Sequence, residues 1–111
     1  MTASLTPLRG EVWDAGIARI GPHPVVVLTA NLLIPRLSSI HCVLVTSQPG
    51  PPSVRIPLDR DAGLTGHAVC YADATTLLTL PQGALHRQRG RLSLDELDRL
   101  ERAVRTVLGL P

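Results

Sequence analysis

Ser93-Leu94-Asp95-Glu96-Leu97-Asp98-Arg99-Leu100-Glu101-Arg102-Ala103-Val104-Arg105-Thr106-Val107-Leu108 is the one stretch of this 111-residue chain with a clear helical period, and it comes last. Ser93 and Glu96 have capping-box spacing, in which each side chain satisfies the other's exposed backbone N–H. Leu97, Leu100, Val104, Val107 and Leu108 then recur on one face. Gly109 and Pro111 stop the helix. Upstream the period changes. Short apolar and β-branched runs predict strands over residues 11–15, 24–29, 40–46, 54–58, 68–72, 75–80 and 87–92. Residues 31–39 have room for a helical turn, residues 48–52 (Gln-Pro-Gly-Pro-Pro) form a rigid loop, and residues 59–66 are rich in turn formers. Several strands followed by one amphipathic helix predict a compact α+β domain, a curled or barrel-like antiparallel sheet covered by the helix. Residues 1–8 read as a loose lead-in and residues 9–111 as a single domain.

Composition narrows the core and the partners. Phe is absent and aromatics make up 2% of the chain, so the core must be built from Leu, Val, Ile and Ala. No apolar run approaches the roughly 20 residues of a membrane span, and the N-terminus lacks the basic and apolar regions of a signal peptide, which points to the cytoplasm. Cys42 and Cys70 lie inside apolar runs and read as buried free thiols. All eleven basic residues are Arg, whose rigid fork of donors suits phosphate, although a GC-rich coding bias explains the preference equally well. The last nineteen residues hold four acids and three arginines, so the net +2 of the chain sits on the remainder as +3. That is a mild electrostatic leaning towards nucleic acid.

Arg9-Gly10-Glu11-Val12-Trp13 followed by Pro24-Val25-Val26-Val27-Leu28-Thr29 resembles the opening of the MazF/PemK/Kid toxins, where an Arg-Gly-Asp/Glu-Val/Ile-Trp strand leads through a loop to an Arg-Pro-Val strand. Val45-Thr46-Ser47-Gln48, Arg55-Ile56-Pro57-Leu58, Asp73 directly after a strand, and Gly90-Arg91-Leu92 before the helix keep the family order. The resemblance implies an SH3-like antiparallel β-barrel of the PemK/CcdB type with a C-terminal α-helix. It also implies a homodimer, a cognate antitoxin, and a type II toxin that cleaves single-stranded RNA sequence-specifically, without cofactor or metal, to 2′,3′-cyclic phosphate and 5′-hydroxyl ends.

Such cleavage needs a base for the 2′-hydroxyl proton, donors for the charged phosphorane and an acid for the leaving 5′-oxygen. In the family the Arg before the Pro-Val strand and the Thr of the Thr-Ser/Ala/Thr-Gln segment serve these roles, and the positions here are His23 and Thr46. An imidazole in place of Arg can act as acid or base, or be a surface His in a Pro-rich turn. Thr46 offers a hydroxyl to phosphate and is equally a favourable strand residue. Asp73 matches an acid that works in the family with an Arg two positions earlier, a position held here by Tyr71. Tyr71 can donate a proton, stack on a base, or simply pack. Arg19 and Arg36 are candidate phosphate ligands, and Ser47 and Gln48 candidate RNA contacts. The loop at residues 14–21 is shorter than in Kid or MazF. Arg87, Arg89 and Arg91 alternate as a basic stripe or a solvated edge. His41, His67 and His86 show no metal-ligand spacing. Two alternatives stand beside the ribonuclease: a barrel that binds RNA or protein without catalysis, and a CcdB-like gyrase poison. The ending Val107-Leu108-Gly109-Leu110-Pro111 has no polar aromatic tip for the latter.

Overall fold

The computed structural model describes residues 6–59, 62–63 and 69–111. Among the described residues six strands, β1 (Glu11–Ile17), β2 (Gly21–Val27), β3 (Ser39–Thr46), β4 (Arg55–Leu58), β5 (Cys70–Pro81) and β6 (Leu85–Arg91), precede one helix, α1 (Leu94–Leu108). Short 3-10 turns lie at Ile34–Arg36 and Gln82–Ala84. All strand pairs are antiparallel, in the order β4-β5-β3-β2-β1-β6. The α+β class and the covering helix are as expected, but β4 and β6 are not hydrogen-bonded to each other, so the sheet stays open instead of closing into a barrel.

The uninterrupted run Val25-Val26-Val27 is explained by burial on both faces, since successive strand residues point to opposite sides. Val12, Val26, Val43, Val45, Ile56 and Ala72 face α1 and pack with Leu100 and Ala103. Trp13, Ala15, Val25, Val27, Ile40 and Cys42 point the other way, under Ile34 and Leu85. Both cysteines are buried and free, and burial pushes the Cys42 thiol up to about 12.

The Arg9–Trp13 motif holds the fold together. Arg9 donates to the Leu28 carbonyl and pairs with Glu101 at 3.4 Å. The buried Glu11 carboxylate accepts from the Leu8 N–H (2.7 Å), the Trp13 indole (3.0 Å) and the Gln88 amide (3.0 Å), so that the buried indole is satisfied.

Several boundaries moved for identifiable reasons. Residues 14–17 belong to β1, and the expected loop at 14–21 shrinks to a tight turn in which Ile17 O accepts from Ile20 N–H at 3.1 Å, with Arg19 at φ 71° and Gly21 at φ 87°. β2 starts early, with Pro22 and Pro24 inside it. β3 pairs with β2 only from Val25 onward, so both prolines lie where β2 has a neighbour on one side only, the setting in which a sheet tolerates them. The strands expected at 68–72 and 75–80 form one, β5, interrupted by an irregularity: β3 passes from Val43 to Leu44 while its partner shifts from Leu77 to Asp73. Residues 1–5, residue 68, His67 and most of the turn at 59–66 lie outside the described residues. No helix among the described residues is long and apolar enough to cross a membrane.

On α1, Ser93 and Glu96 form the expected capping box, and Gly109 at φ 68° ends the helix. The buried stripe is Glu96, Leu100 and Ala103 with Leu97 and Val104 partly covered. Val107 and Leu108, expected on that stripe, are exposed because the helix runs past its packing partners.

Candidate active site

The face of the sheet turned away from α1 carries the candidate residues at one end. Thr46 ends β3 and pairs with Tyr71 of β5, which pairs with Pro57 of β4. One row inward, Leu44, Asp73 and Arg55 are aligned in the same way. Residues directly opposite one another share a face. The intervening row of Val45, Ala72 and Ile56 packs towards α1, so these two rows face away from it. Pairing between β2 and β3 ends at Val25 and Leu44, and the same register continued places His23 opposite Thr46, where the strands part. The β1–β2 turn, with exposed Arg19 at its tip, projects from this same end.

Thr46 Oγ1 accepts a hydrogen bond from Gln48 N–H at 3.1 Å, which folds the chain sharply after β3 and leaves the hydroxyl proton available to an outside acceptor. Ser47 and Gln48 are exposed beyond it. Tyr71 and His23 are half-buried.

Asp73 is 4% exposed and fully engaged. Oδ1 accepts from Thr75 N–H (3.0 Å) and Thr75 Oγ1 (2.6 Å), Oδ2 accepts from Thr76 Oγ1 (2.7 Å), and Arg55 Nε lies 3.2 Å from Oδ1. Burial pulls this carboxyl up, but the Thr75 and Thr76 hydroxyls, the Thr75 N–H and the Arg55 charge outweigh it, so Asp73 is held below its ordinary value. These bonds stabilise the β5 irregularity and leave Asp73 ionised, with no proton to deliver near neutral pH.

Other expected residues lie elsewhere. Arg36 is exposed in the 3-10 turn before Ser39, at the far end of β3, a strand roughly 23 Å long at about 3.3 Å per residue. The basic stripe on β6 is broken, because irregularities in the β1–β6 pairing put Arg89 out of phase with its neighbours. Arg89 pairs with Asp14 at 3.1 Å and Arg91 with Glu11 at 3.9 Å, which leaves Arg87 as the exposed cation of the three without a partner among the described residues. His41 contacts Thr79 at 3.1 Å, and its neighbour in alternation, Val43, packs towards α1, so His41 is on the helix side of the sheet. Among the described residues no three His, Cys, Asp or Glu side chains converge as a metal site.

Arg55 belongs in the sequence to the Arg55-Ile56-Pro57-Leu58 motif and has no site role there. Its Nη1 donates to the Gln48 carbonyl at 2.7 Å. Besides that motif the sequence shows an Arg opening a strand after a Pro/Gly loop, and its acidic partner lies eighteen residues downstream at Asp73.

With the geometry in place, comparison with known proteins is direct. A mycobacterial endoribonuclease superposes with a TM-score of 0.82 at 22% identity, over 96% of this chain and 95% of that one. A mycobacterial endoribonuclease in complex with its cognate antitoxin gives 0.81 at 24%, over 95% and 97%. A MazE-MazF structure from Deinococcus radiodurans gives 0.80 at 19%, over 97% and 100%. At such identities the likeness establishes the fold. No curated protein matches the chain in sequence. The family of PemK-like, MazF-like toxins of type II toxin-antitoxin systems matches residues 8–108, nearly the whole chain, and the chain belongs to that family.

Proposed function

We propose that this toxin is a sequence-specific endoribonuclease that cuts single-stranded RNA at the β2/β3/β5 end of the sheet, without a metal. The observation that carries the reading is the Thr46 hydroxyl, fixed by the Gln48 N–H and free to donate, in one row with Tyr71 and in register with His23. The RNA 2′-oxygen loses its proton to a base and attacks phosphorus, the P–O2′ bond forms as P–O5′ breaks, and an acid protonates the leaving oxygen. This yields a 2′,3′-cyclic phosphate and a 5′-hydroxyl. Thr46 donates to a non-bridging oxygen as charge builds there. His23 exchanges a proton with the sugar oxygens, and Tyr71 stacks on a flanking base or supplies the second proton. Arg19, and more remotely Arg36, meet the backbone phosphates, with Ser47 and Gln48 contacting the RNA beside the cut. Asp73 supports this site by shaping β5.

The structural relatives include an endoribonuclease bound to its antitoxin and a MazE-MazF complex, which supports a cognate antitoxin as partner. A homodimer and a cytoplasmic location complete the proposal.

The test is incubation of antitoxin-free protein with a long RNA in EDTA, followed by mapping of new 5′ ends. Discrete 5′-hydroxyl ends are expected. Thr46→Ala is expected to lose about 10²- to 10³-fold in kcat, the usual cost of one oxyanion donor, and His23→Ala about 10²- to 10⁴-fold as a proton-transfer group. Full activity in both variants refutes the site. A second reading, RNA binding without cleavage, draws on His23 and Tyr71 standing where the resemblance expects arginines. It requires RNA bound and left intact.

A further inference from the structure

Arg55 links the two halves of the candidate site. One guanidinium reaches Asp73 Oδ1 through Nε (3.2 Å) and the Gln48 carbonyl through Nη1 (2.7 Å), while the Gln48 N–H donates to Thr46 Oγ1 (3.1 Å). The result is a continuous path from the Asp73 irregularity in β5, through Arg55, to the hydroxyl at the end of β3. Nε is buried and meets Asp73 as an ion pair rather than an aligned hydrogen bond. Its lock on the loop therefore rests on the planar fork as a whole, which a flexible ammonium does not reproduce.

Gly50 belongs to the same device. A Cβ there would lie 2.7 Å from Arg55 Cγ, so the loop passes over the arginine stem only because it carries no side chain at that point. The far end of the loop is fixed separately, by Val54 and Arg55 N–H donating to Pro51 O at 3.0 Å each. Between Thr46 and Pro51, Arg55 is the side chain that ties the loop to the body of the sheet among the described residues.

We infer that Arg55 is a positioning residue for cleavage: it holds the Thr46–Gln48 turn so that the Thr46 hydroxyl proton points at the scissile phosphate, and Gly50 is the small residue that admits it. The inference rests on the RNA-cleavage reading above and goes beyond it by assigning the residue that sets the geometry.

The experiment compares wild type, Arg55→Gln, Arg55→Lys, Gly50→Ala and the Gln/Ala double variant. It measures kcat and KM on a short RNA containing the mapped cut, well below each melting temperature, and hydrogen exchange at the Gln48 amide. Because misplacement of a catalytic group by about 1 Å can cost 10²-fold, Arg55→Gln is expected to lower kcat about 10- to 100-fold with KM within about two-fold. Arg55→Lys recovers only part of the loss. Gly50→Ala, which keeps the charge, reproduces the fall in kcat, and the double variant is no worse than Arg55→Gln because both act through one contact. The Gln48 amide exchanges faster in Arg55→Gln and in Gly50→Ala. Wild-type kcat in Arg55→Gln, an effect confined to KM, or losses that multiply in the double variant would each overturn the inference. If wild-type protein cuts no RNA, the cleavage reading fails, and unchanged exchange at the Gln48 amide separately refutes the hold on the turn.

Discussion

Asp73 shows how a residue type can be visible in a sequence while its role is not. An acid after a strand invites a catalytic reading, yet its oxygens are occupied by Thr75, Thr76 and Arg55. The two threonines were within sight, since Asp-Ala-Thr-Thr is a pattern in which a carboxylate caps its own backbone. Arg55 was not, because only strand register brings β4 beside Asp73. Thr46 and His23 stand out in the sequence as candidates by residue type, but their relation depends on where β2 and β3 part. Because the folded carboxyl lies below its ordinary value, Asp73 contributes stability that is present above the unfolded pKa of about 3.9 and is lost as pH falls through the folded value. Asp73→Asn is therefore expected to cost about 1–3 kcal/mol at pH 7. Urea melts of both proteins at pH 7 and near pH 3 check this. The gap should narrow at the acid end, and a gap independent of pH would mean that the charge on Asp73 contributes nothing.

At the scale of elements, α1 was the easiest to read and β5 the hardest. The capping box of Ser93 and Glu96 is set by spacing alone and is present as expected. Asp73 to Thr76 break the alternation, so the sequence reads as two strands where the fold has one, in which their side chains satisfy one another and the strand continues beyond them. Glu96 also does something its spacing did not reveal. While Oε1 closes the capping box with Ser93 N–H at 2.8 Å, Oε2 accepts from Asp59 N–H at 2.8 Å and pins the end of β4 to the start of the helix. Ser93→Ala is expected to cost about 1 kcal/mol, the usual value of an N-cap. Glu96→Ala, which strands two backbone donors, is expected to cost about 2–3 kcal/mol. Equilibrium urea unfolding distinguishes them. Equal losses would mean that the tie to Asp59 adds no stability.

For the whole molecule the question is what protects the edges of an open sheet. β4 and β6 are its unpaired edges, and such edges invite pairing with other chains unless something covers them. Gly63, a short way past β4 in sequence, reaches β6. Arg89 Nε donates to Gly63 O at 3.2 Å, and Gly63, at φ 76°, lies so close to β6 that a Cβ would stand 1.9 Å from the Arg89 carbonyl oxygen. Residues 59–66 read in the sequence as turn formers, and of them only residues 59, 62 and 63 are described. That Gly63 meets the backbone of the last strand is not legible there, because nothing local marks a contact made twenty-six residues away. Gly63→Ala faces both a left-handed backbone and a clash with main chain that no rotamer relieves. Gly83→Ala meets nothing within 4 Å and has no positive φ, which makes it the matched control. The first is expected to cost at least about 3 kcal/mol and the second less than about 0.5. In a domain of this size, each kcal/mol lowers Tm by roughly 4 °C. Thermal melts with light scattering read both consequences, since opening the seam should lower Tm and also expose β4 and β6 to intermolecular pairing. If Gly63→Ala melted with the Gly83 variant and stayed monodisperse, protection of the two sheet edges would have to rest on the helix and the two apolar layers alone.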